Sequence, residues 1–248
     1  MTPALDLHRL TKRFGETLAV DELTLSVPQG AFLGLLGRNG AGKSTTLKMA
    51  TGLIQPTSGA LRVLGLDMAS DPVAIKRQIG AMPEDMALLD MLTGPQYLRF
   101  VGRMYGLEDG TIDLRTAELF EKLDLQPGKG TLIGDYSFGM KKKVALCAAL
   151  IHGPKLLFLD EPFEGIDAVT NRTIKDILLS LQARGTTLIL TSHILEVVEK
   201  LCPLIAIIDQ GRLKGFGHLE ELRQGGESLE SLFVDLVGGA RTGELSWL

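Results

Sequence analysis

Residues 32–44 read F-L-G-L-L-G-R-N-G-A-G-K-S. The first five, Phe32–Leu36, predict a buried β-strand, and a helix is expected to follow from about Lys43 to Gly52. Gly37–Ser44 matches the phosphate-binding loop pattern G-x-x-x-x-G-K-[ST] in full. Glycines let consecutive backbone N–H groups turn toward phosphate oxygens, and the positive end of the helix favours an anion there. A simple strand–helix turn would not explain a lysine followed by two hydroxyl residues.

The loop chemistry assigns roles to its polar side chains. The Lys43 ammonium is expected to reach the β- and γ-phosphates of a nucleotide, and the Ser44 hydroxyl is expected to bind Mg²⁺. The candidate phosphate-binding residues are Gly37, Arg38, Asn39, Gly40, Ala41, Gly42, Lys43, Ser44 and Thr45.

An apolar stretch that ends in two acids follows later, at residues 156–161 (L-L-F-L-D-E). Alone, Asp160 and Glu161 ahead of Pro162 would be ordinary acids at a helix N-terminus. Downstream of a phosphate-binding loop, Asp160 is predicted to lie beside the Mg²⁺. Glu161 is predicted to face the γ-phosphate and to position or deprotonate the attacking water.

The order of apolar runs and helical patterns predicts the fold class. Strands alternate with helices in the second half of the chain, which is typical of parallel βαβ units with ligand sites beyond the carboxyl ends of the strands. The predicted elements there are a strand at Leu156–Asp160, a helix at Ala168–Arg184 capped by Asp167 and ended by Gly185, a strand at Thr187–Leu190, a helix at Ile194–Leu201 and a strand at Leu204–Ile208.

Three further regions complete the prediction. Leu5–Leu10 and Leu23–Val27 are expected to form antiparallel strands separated by a charged, turn-rich stretch. Residues 93–123 and the segment after Ser137 have helical patterns, and a C-terminal apolar stripe predicts a helix packed on its own domain. The stripe comprises Leu229, Leu232, Phe233, Leu236 and Val237. The prediction is an α/β, P-loop NTPase core with a parallel sheet flanked by helices, an antiparallel β subdomain and an inserted helical subdomain.

These parts are assigned to one domain over residues 1–248. The nucleotide-binding core with its antiparallel part takes residues 1–90 and 155–217, the helical subdomain takes 91–154, and the C-terminal helical tail takes 218–248.

The sequence Tyr136-Ser-Phe-Gly-Met140 opens the third predicted helix. Ser137 as N-cap, with Gly139 and Met140 in the first turn, would offer a hydroxyl and backbone N–H groups to an anion. Because one chain has no second phosphate for these groups, we expect them to serve a nucleotide held by another copy. The following lysines, residues 141–143, are interpreted as a solvated helix face.

These residues together resemble the ATP-binding subunit of ABC transporters over nearly the whole chain. The motifs that carry the resemblance are K-R-F-G at Phe14, the loop at Gly37, G-A-M-P-E ending at Glu84, Y-S-F-G-M at Ser137, the acids Asp160 and Glu161, G-I-D ending at Asp167, and T-S-H ending at His193. The resemblance implies that Phe14 stacks on adenine, that Asp167 lies on a loop linking two sites of a dimer, and that His193 contacts the γ-phosphate. It implies ATP and Mg²⁺ as ligands. It also implies a homodimer in which residues 136–140 of one copy, the signature, close over the ATP of the other copy.

Two residues depart from the family pattern. Glu84 stands where the family has glutamine, and a carboxylate about 4 Å from a phosphate charge would cost roughly 4 kcal/mol at an effective dielectric constant of 20. Glu84 must therefore lie on the Mg²⁺ side, engage a metal-bound water, or move away before closure. Phe138 stands where small residues are usual. Both departures resemble the export-type branch of the family.

Composition narrows the function classes. The 248 residues carry a net charge of −4, so the chain lacks the excess of lysine and arginine that is typical of a nucleic-acid-binding protein. Two cysteines without metal-ligand spacing indicate a reducing compartment. The resemblance implies a cytoplasmic ATPase, peripheral on the inner face of the membrane through a separate transmembrane permease subunit. It also implies that residues 84–105 form the contact, although a buried core would explain the apolar residues there equally well. The alternatives are a soluble ABC-type ATPase that remodels a nucleic-acid or assembly complex, and a phosphotransferase that uses the same loop.

Overall fold

The computed structural model describes residues 2–223 and 227–238. Within these residues the strands are β1 (Leu5–Phe14), β2 (Thr17–Val27), β3 (Phe32–Leu36), β4 (Ser58–Val63), β5 (Leu66–Asp67), β6 (Ile79–Met82), β7 (Leu156–Asp160), β8 (Thr187–Thr191), β9 (Leu204–Asp209) and β10 (Arg212–His218). The helices are α1 (Lys43–Ala50), α2 (Pro72–Lys76), α3 (Gly94–Met104), α4 (Asp109–Lys122), α5 (Phe138–Leu150), α6 (Ala168–Ala183), α7 (Leu195–Leu201), α8 (Leu219–Leu222) and α9 (Leu229–Val237).

A six-stranded sheet forms the centre of the molecule, in the order β10-β9-β3-β8-β7-β6. All its neighbours pair in parallel except β10, which runs antiparallel to β9. Side chains alternate along each parallel strand, so Leu33 and Leu35 face one hydrophobic core while Phe32 and Leu36 face the other. Burial on both faces explains the unbroken apolar runs from which these strands were predicted.

A second, four-stranded sheet in the order β2-β1-β4-β5 packs on one side of the first. Its antiparallel pairing confirms the predicted β subdomain, but the expected turn-rich stretch between Leu10 and Leu23 is wrong. Strand β1 continues to Phe14 and β2 starts at Thr17, with Gly15 (φ +54°) in the turn. The charged residues misled the prediction because this part of the hairpin is largely exposed and carries register shifts.

Helices α3, α4 and α5 lie between β6 and β7, which confirms the predicted inserted helical subdomain. Thr93 caps α3 in a reciprocal capping box with Gln96, and Gly106 (φ +79°) separates α3 from α4. Ser137 caps α5, and Asp167 caps α6 through the backbone N–H groups of Val169 and Thr170. These two caps confirm the predicted helix starts.

At the C-terminal side, α9 packs against α7 and β9, with Leu229 and Leu232 buried. The apolar stripe therefore covers its own domain, as expected. Tail residues 224–226 and 239–248 lie outside the described residues. No helix in the described parts of the chain has the length and apolar character needed to cross a bilayer.

Candidate nucleotide site

The carboxyl ends of β3, β7 and β8 open onto a cavity of about 460 Å³. Most of the residues predicted for nucleotide binding meet there, although they come from all parts of the sequence. The lining residues are Phe14, Ala19, Asn39, Gly40, Ala41, Gly42, Lys43, Ser44, Thr45, Glu84, Glu161, Glu164 and His193.

The loop between β3 and α1 has a conformation that requires glycine. Gly42 has φ +104°, and a Cβ atom there would lie 2.4 Å from the carbonyl oxygen of Ala19. The buried Lys43 side chain turns back along the loop, and its Nζ donates to the carbonyl oxygens of Gly37 (2.8 Å) and Arg38 (3.3 Å). Gly37 and Arg38 thus contact the lysine and do not line the cavity.

Ser44 and Asp160 form a pair of oxygen ligands at one side of the loop. The Ser44 hydroxyl donates to Asp160 Oδ1 at 3.2 Å, and the buried Thr191 hydroxyl donates to the same oxygen at 2.5 Å. Mg²⁺ binds few protein oxygens and completes its octahedron with waters and phosphates. A hydroxyl beside a buried carboxylate fits that requirement, and no larger cluster of metal-ligating side chains occurs in residues 2–223 and 227–238.

Glu161 is held by contacts at three points. Its side-chain Oε2 accepts hydrogen bonds from the backbone N–H of His193 (3.3 Å) and lies 3.0 Å from His193 Nδ1. Its own N–H donates to Thr191 Oγ1 at 3.0 Å, and its carbonyl oxygen accepts from Lys142 Nζ at 2.7 Å. The residue has φ +49°, a left-handed conformation that is uncommon for a side chain this size.

Two predicted ligands at the rim are exposed. Phe14 ends β1 with 49% of its surface exposed, and Lys12 Nζ lies 5.0 Å from its ring centroid. Glu84 follows β6 and lines the cavity from the other side.

Besides Gly37 and Arg38, four predicted nucleotide contacts do not line the cavity: Ser137, Gly139, Met140 and Asp167. Ser137 and Asp167 are used locally as helix caps. The Ser137 hydroxyl accepts from Met140 N at 3.3 Å. The hydrogen bonds that Asp167 accepts from Thr170, from both its backbone N–H and its hydroxyl, lower the Asp167 pKa.

Sequence reasoning missed several residues that the structure places at the site. Ala19 and Glu164 line the cavity, Thr191 bonds to both acids, and Lys142 bonds to Glu161. The interpretation of residues 141–143 as a solvated face is wrong for Lys142, which is 2% exposed. Thr191 is the first residue of the T-S-H motif, and Glu164 directly precedes G-I-D, so the neighbouring motifs could have indicated both residues. No motif in the sequence points to Ala19.

Comparison with known proteins identifies the family to which the chain is similar. A family model described as "ABC transporter" matches residues 20–164. The chain is 38% identical over 238 residues to the linearmycin resistance ATP-binding protein LnrL of Bacillus subtilis, covering 95% of this chain and 76% of LnrL. It is 37% identical over 222 residues to the daunorubicin/doxorubicin resistance ATP-binding protein DrrA of Streptomyces peucetius, covering 90% of this chain and 67% of DrrA.

A solved structure of the ATP-binding subunit of an ABC transporter superposes with a TM-score of 0.88 at 32% identity, covering 94% of this chain and 99% of that one. The chain therefore belongs to the ABC transporter family. Within it, the protein is an ATP-binding subunit and an ATPase.

Proposed function

We propose that this protein hydrolyses ATP in a closed dimer of two copies and thereby drives a separate transmembrane subunit in export. The observation that carries the proposal is the division of the site. The phosphate loop, Asp160, Glu161 and His193 lie at one cavity, while the signature residues Ser137, Gly139 and Met140 are not part of its lining. A second copy facing the first would bring Ser137, Gly139 and Met140 over the nucleotide.

The residues within one copy supply the remaining roles. The loop residues 37–45 bind the phosphates, Lys43 pairs with the β- and γ-phosphates, and Phe14 stacks on adenine. Ser44 and Asp160 would hold Mg²⁺, and Glu84 would engage a water molecule bound to the ion. The ion would supply positive charge that offsets the charge of the phosphates.

Hydrolysis then follows from the position of Glu161. Its carboxylate accepts a proton from a water molecule as the water oxygen bonds to the γ-phosphorus. The bond from that phosphorus to the β,γ-bridging oxygen breaks, which releases ADP and phosphate. His193, which contacts Glu161 in this structure, would contact the γ-phosphate when the nucleotide is bound.

The transmembrane contact is proposed on the face that follows Glu84. Large apolar side chains are exposed there at Leu89, Met91, Phe100 and Met104. Met86 and Leu88, in contrast, pack against the protein's own core. Docking through this face would place the protein on the inner surface of the membrane.

Export is supported by the relatives named above, which are resistance ATP-binding proteins. Removal of a toxic compound from the cell is the simplest way for an ATP-driven transporter to confer resistance.

The decisive experiment uses Glu161→Gln, which keeps the shape of the side chain and removes the base. Turnover is expected to fall about 10²–10⁴-fold, and gel filtration with ATP is expected to show a dimer. Adding Ser137→Arg should return that variant to a monomer while ATP binding, measured by calorimetry, persists. A Glu161→Gln protein that stays monomeric with saturating ATP contradicts the two-copy site.

A further inference from the structure

Lys142 differs from the two lysines beside it on α5. Lys141 Nζ lies 3.5 Å from a carboxylate oxygen of Asp90, and Lys143 Nζ lies 3.4 Å from the carbonyl oxygen of Asp124; both side chains are partly exposed. The Lys142 side chain is instead buried and extends to residues 161–167, the loop between β7 and α6 that we call the catalytic loop. There its Nζ donates to the carbonyl oxygen of Glu161 at 2.7 Å.

The surroundings of Lys142 explain how an ammonium group is tolerated there. Burial lowers the Lys142 pKa, while nearby carboxylates oppose that shift. The carboxylates belong to Glu164, Glu161, Glu84 and Asp160. All four carboxylates lie at or beside the nucleotide cavity. The Lys142 ammonium therefore offsets part of their negative charge, although Lys142 itself does not line the cavity.

Phe138 closes the space over this lysine. Its ring centroid lies 5.2 Å from Lys142 Nζ. A Cβ atom at Gly165 would lie 2.6 Å from Phe138 Cε1, so the ring lies directly on the loop that follows Glu161. Gly165 also has φ +67°, a backbone conformation that favours glycine. The unusual signature residue thus packs on the catalytic loop of its own chain.

We propose that Lys142 is a positioning residue for Glu161. The bond to the Glu161 carbonyl holds the left-handed backbone that directs the carboxylate toward His193, and Phe138 keeps water from competing for that bond. The inference rests on the proposed role of Glu161 as the base. Because α5 begins at the signature, a shift of that helix when a second copy binds would be passed to Glu161 of the same chain.

The test measures kcat and KM for ATP in four variants of the purified protein. Lys142→Met keeps the length of the side chain and removes the donor; kcat should fall roughly tenfold to a hundredfold with KM unchanged. Lys142→Arg keeps a donor and should recover most of the loss. Lys143→Met, on the same helix, is the matched control and should behave as the wild type.

The fourth variant combines Lys142→Met with Glu161→Gln. If Lys142 acts through Glu161, the lysine substitution should not slow the Glu161→Gln protein further. An equal slowing in both backgrounds, or a wild-type kcat for Lys142→Met, overturns the inference. A loss of ATP affinity in Lys142→Met equal to its loss of kcat would show a structural role and overturns it too.

The outcomes separate this inference from the proposed function. If Glu161→Gln slows turnover and Lys142→Met does not, only the positioning role fails. If Glu161→Gln itself turns over normally, the assignment of the base fails, and the role of Lys142 fails with it.

Discussion

Replacing Thr191 by valine tests how the two acids of the site are held. Thr191 is fully buried at the end of β8, opposite Asp160 in the parallel register. Its hydroxyl donates to Asp160 Oδ1 at 2.5 Å and accepts from the Glu161 N–H at 3.0 Å. Valine has nearly the same shape but offers neither bond, so the substitution removes two contacts at once with little change in packing.

The magnitude follows from the two bonds. A neutral hydrogen bond contributes about 1 kcal/mol and one to a charged group about 1.5–3 kcal/mol, so the loss is about 2.5–4 kcal/mol. A buried methyl in place of the hydroxyl returns about 0.8 kcal/mol, which leaves a net loss of about 2–3 kcal/mol. For a chain of this size, Tm should fall by about 4–12 °C.

Urea unfolding of the nucleotide-free protein measures this difference in the free energy of unfolding. Thr191→Ser keeps the hydroxyl and is expected to lose much less stability than Thr191→Val. A net loss below about 1 kcal/mol for valine would refute the reasoning, since an unpaired buried donor and acceptor cost more than that. Equal losses for serine and valine would refute it as well, because the hydroxyl would then be irrelevant.

Three further outcomes are expected. Glu84→Gln should keep or improve ATP affinity in calorimetry, because it removes a carboxylate that costs roughly 4 kcal/mol at about 4 Å from a phosphate charge; a large loss of affinity would show that the carboxylate is a required ligand. Burial lowers the His152 pKa, so the folded protein loses stability as pH falls below about 6.5, the pKa of histidine in the unfolded chain. His152→Phe keeps an aromatic ring to stack on Tyr105, where the centroids lie 3.7 Å apart. Between pH 7 and pH 5, this variant should lose less free energy of unfolding than the wild type. Burial raises the Cys147 pKa to about 12 and also raises the Cys202 pKa. Iodoacetamide at pH 8 should therefore modify these thiols no faster than the protein unfolds. Rapid labelling of the native protein would contradict their burial.

The sequence predicted best where one short segment carries both the element and its chemistry. The loop at Gly37–Ser44 contains a complete motif and the start of α1, and it follows β3 directly, so its role could be predicted without knowledge of distant residues. The caps Ser137 and Asp167 were predictable for the same reason, since an N-cap bonds only to the next turn of its helix.

Prediction failed where an element depends on a distant partner. Strand β10 forms against β9 after a turn at Gly211 (φ +76°), although its alternation is interrupted by two glycines. Lys142 lies among three identical side chains, and only the packing of α5 against β6 and the hydrophobic core decides which of them is buried. Helical periodicity could not separate them, because the three lysines are consecutive and follow a first turn in which Phe138 and Met140 are apolar and Gly139 is small.

Charge explains why a single copy would hold ATP in an incomplete site. Within the cavity lining, the Lys43 ammonium faces the carboxylates of Glu84, Glu161 and Glu164, and a bound nucleotide would add a triphosphate to that excess. Backbone N–H groups of the loop and Mg²⁺ offset part of the repulsion. Further donors that suit a γ-phosphate lie in the first turn of α5, which does not line the cavity of its own chain. In the proposed dimer, a second copy would bring that helix end to the phosphate. The excess of negative charge that weakens binding to one chain would then favour closure of two copies.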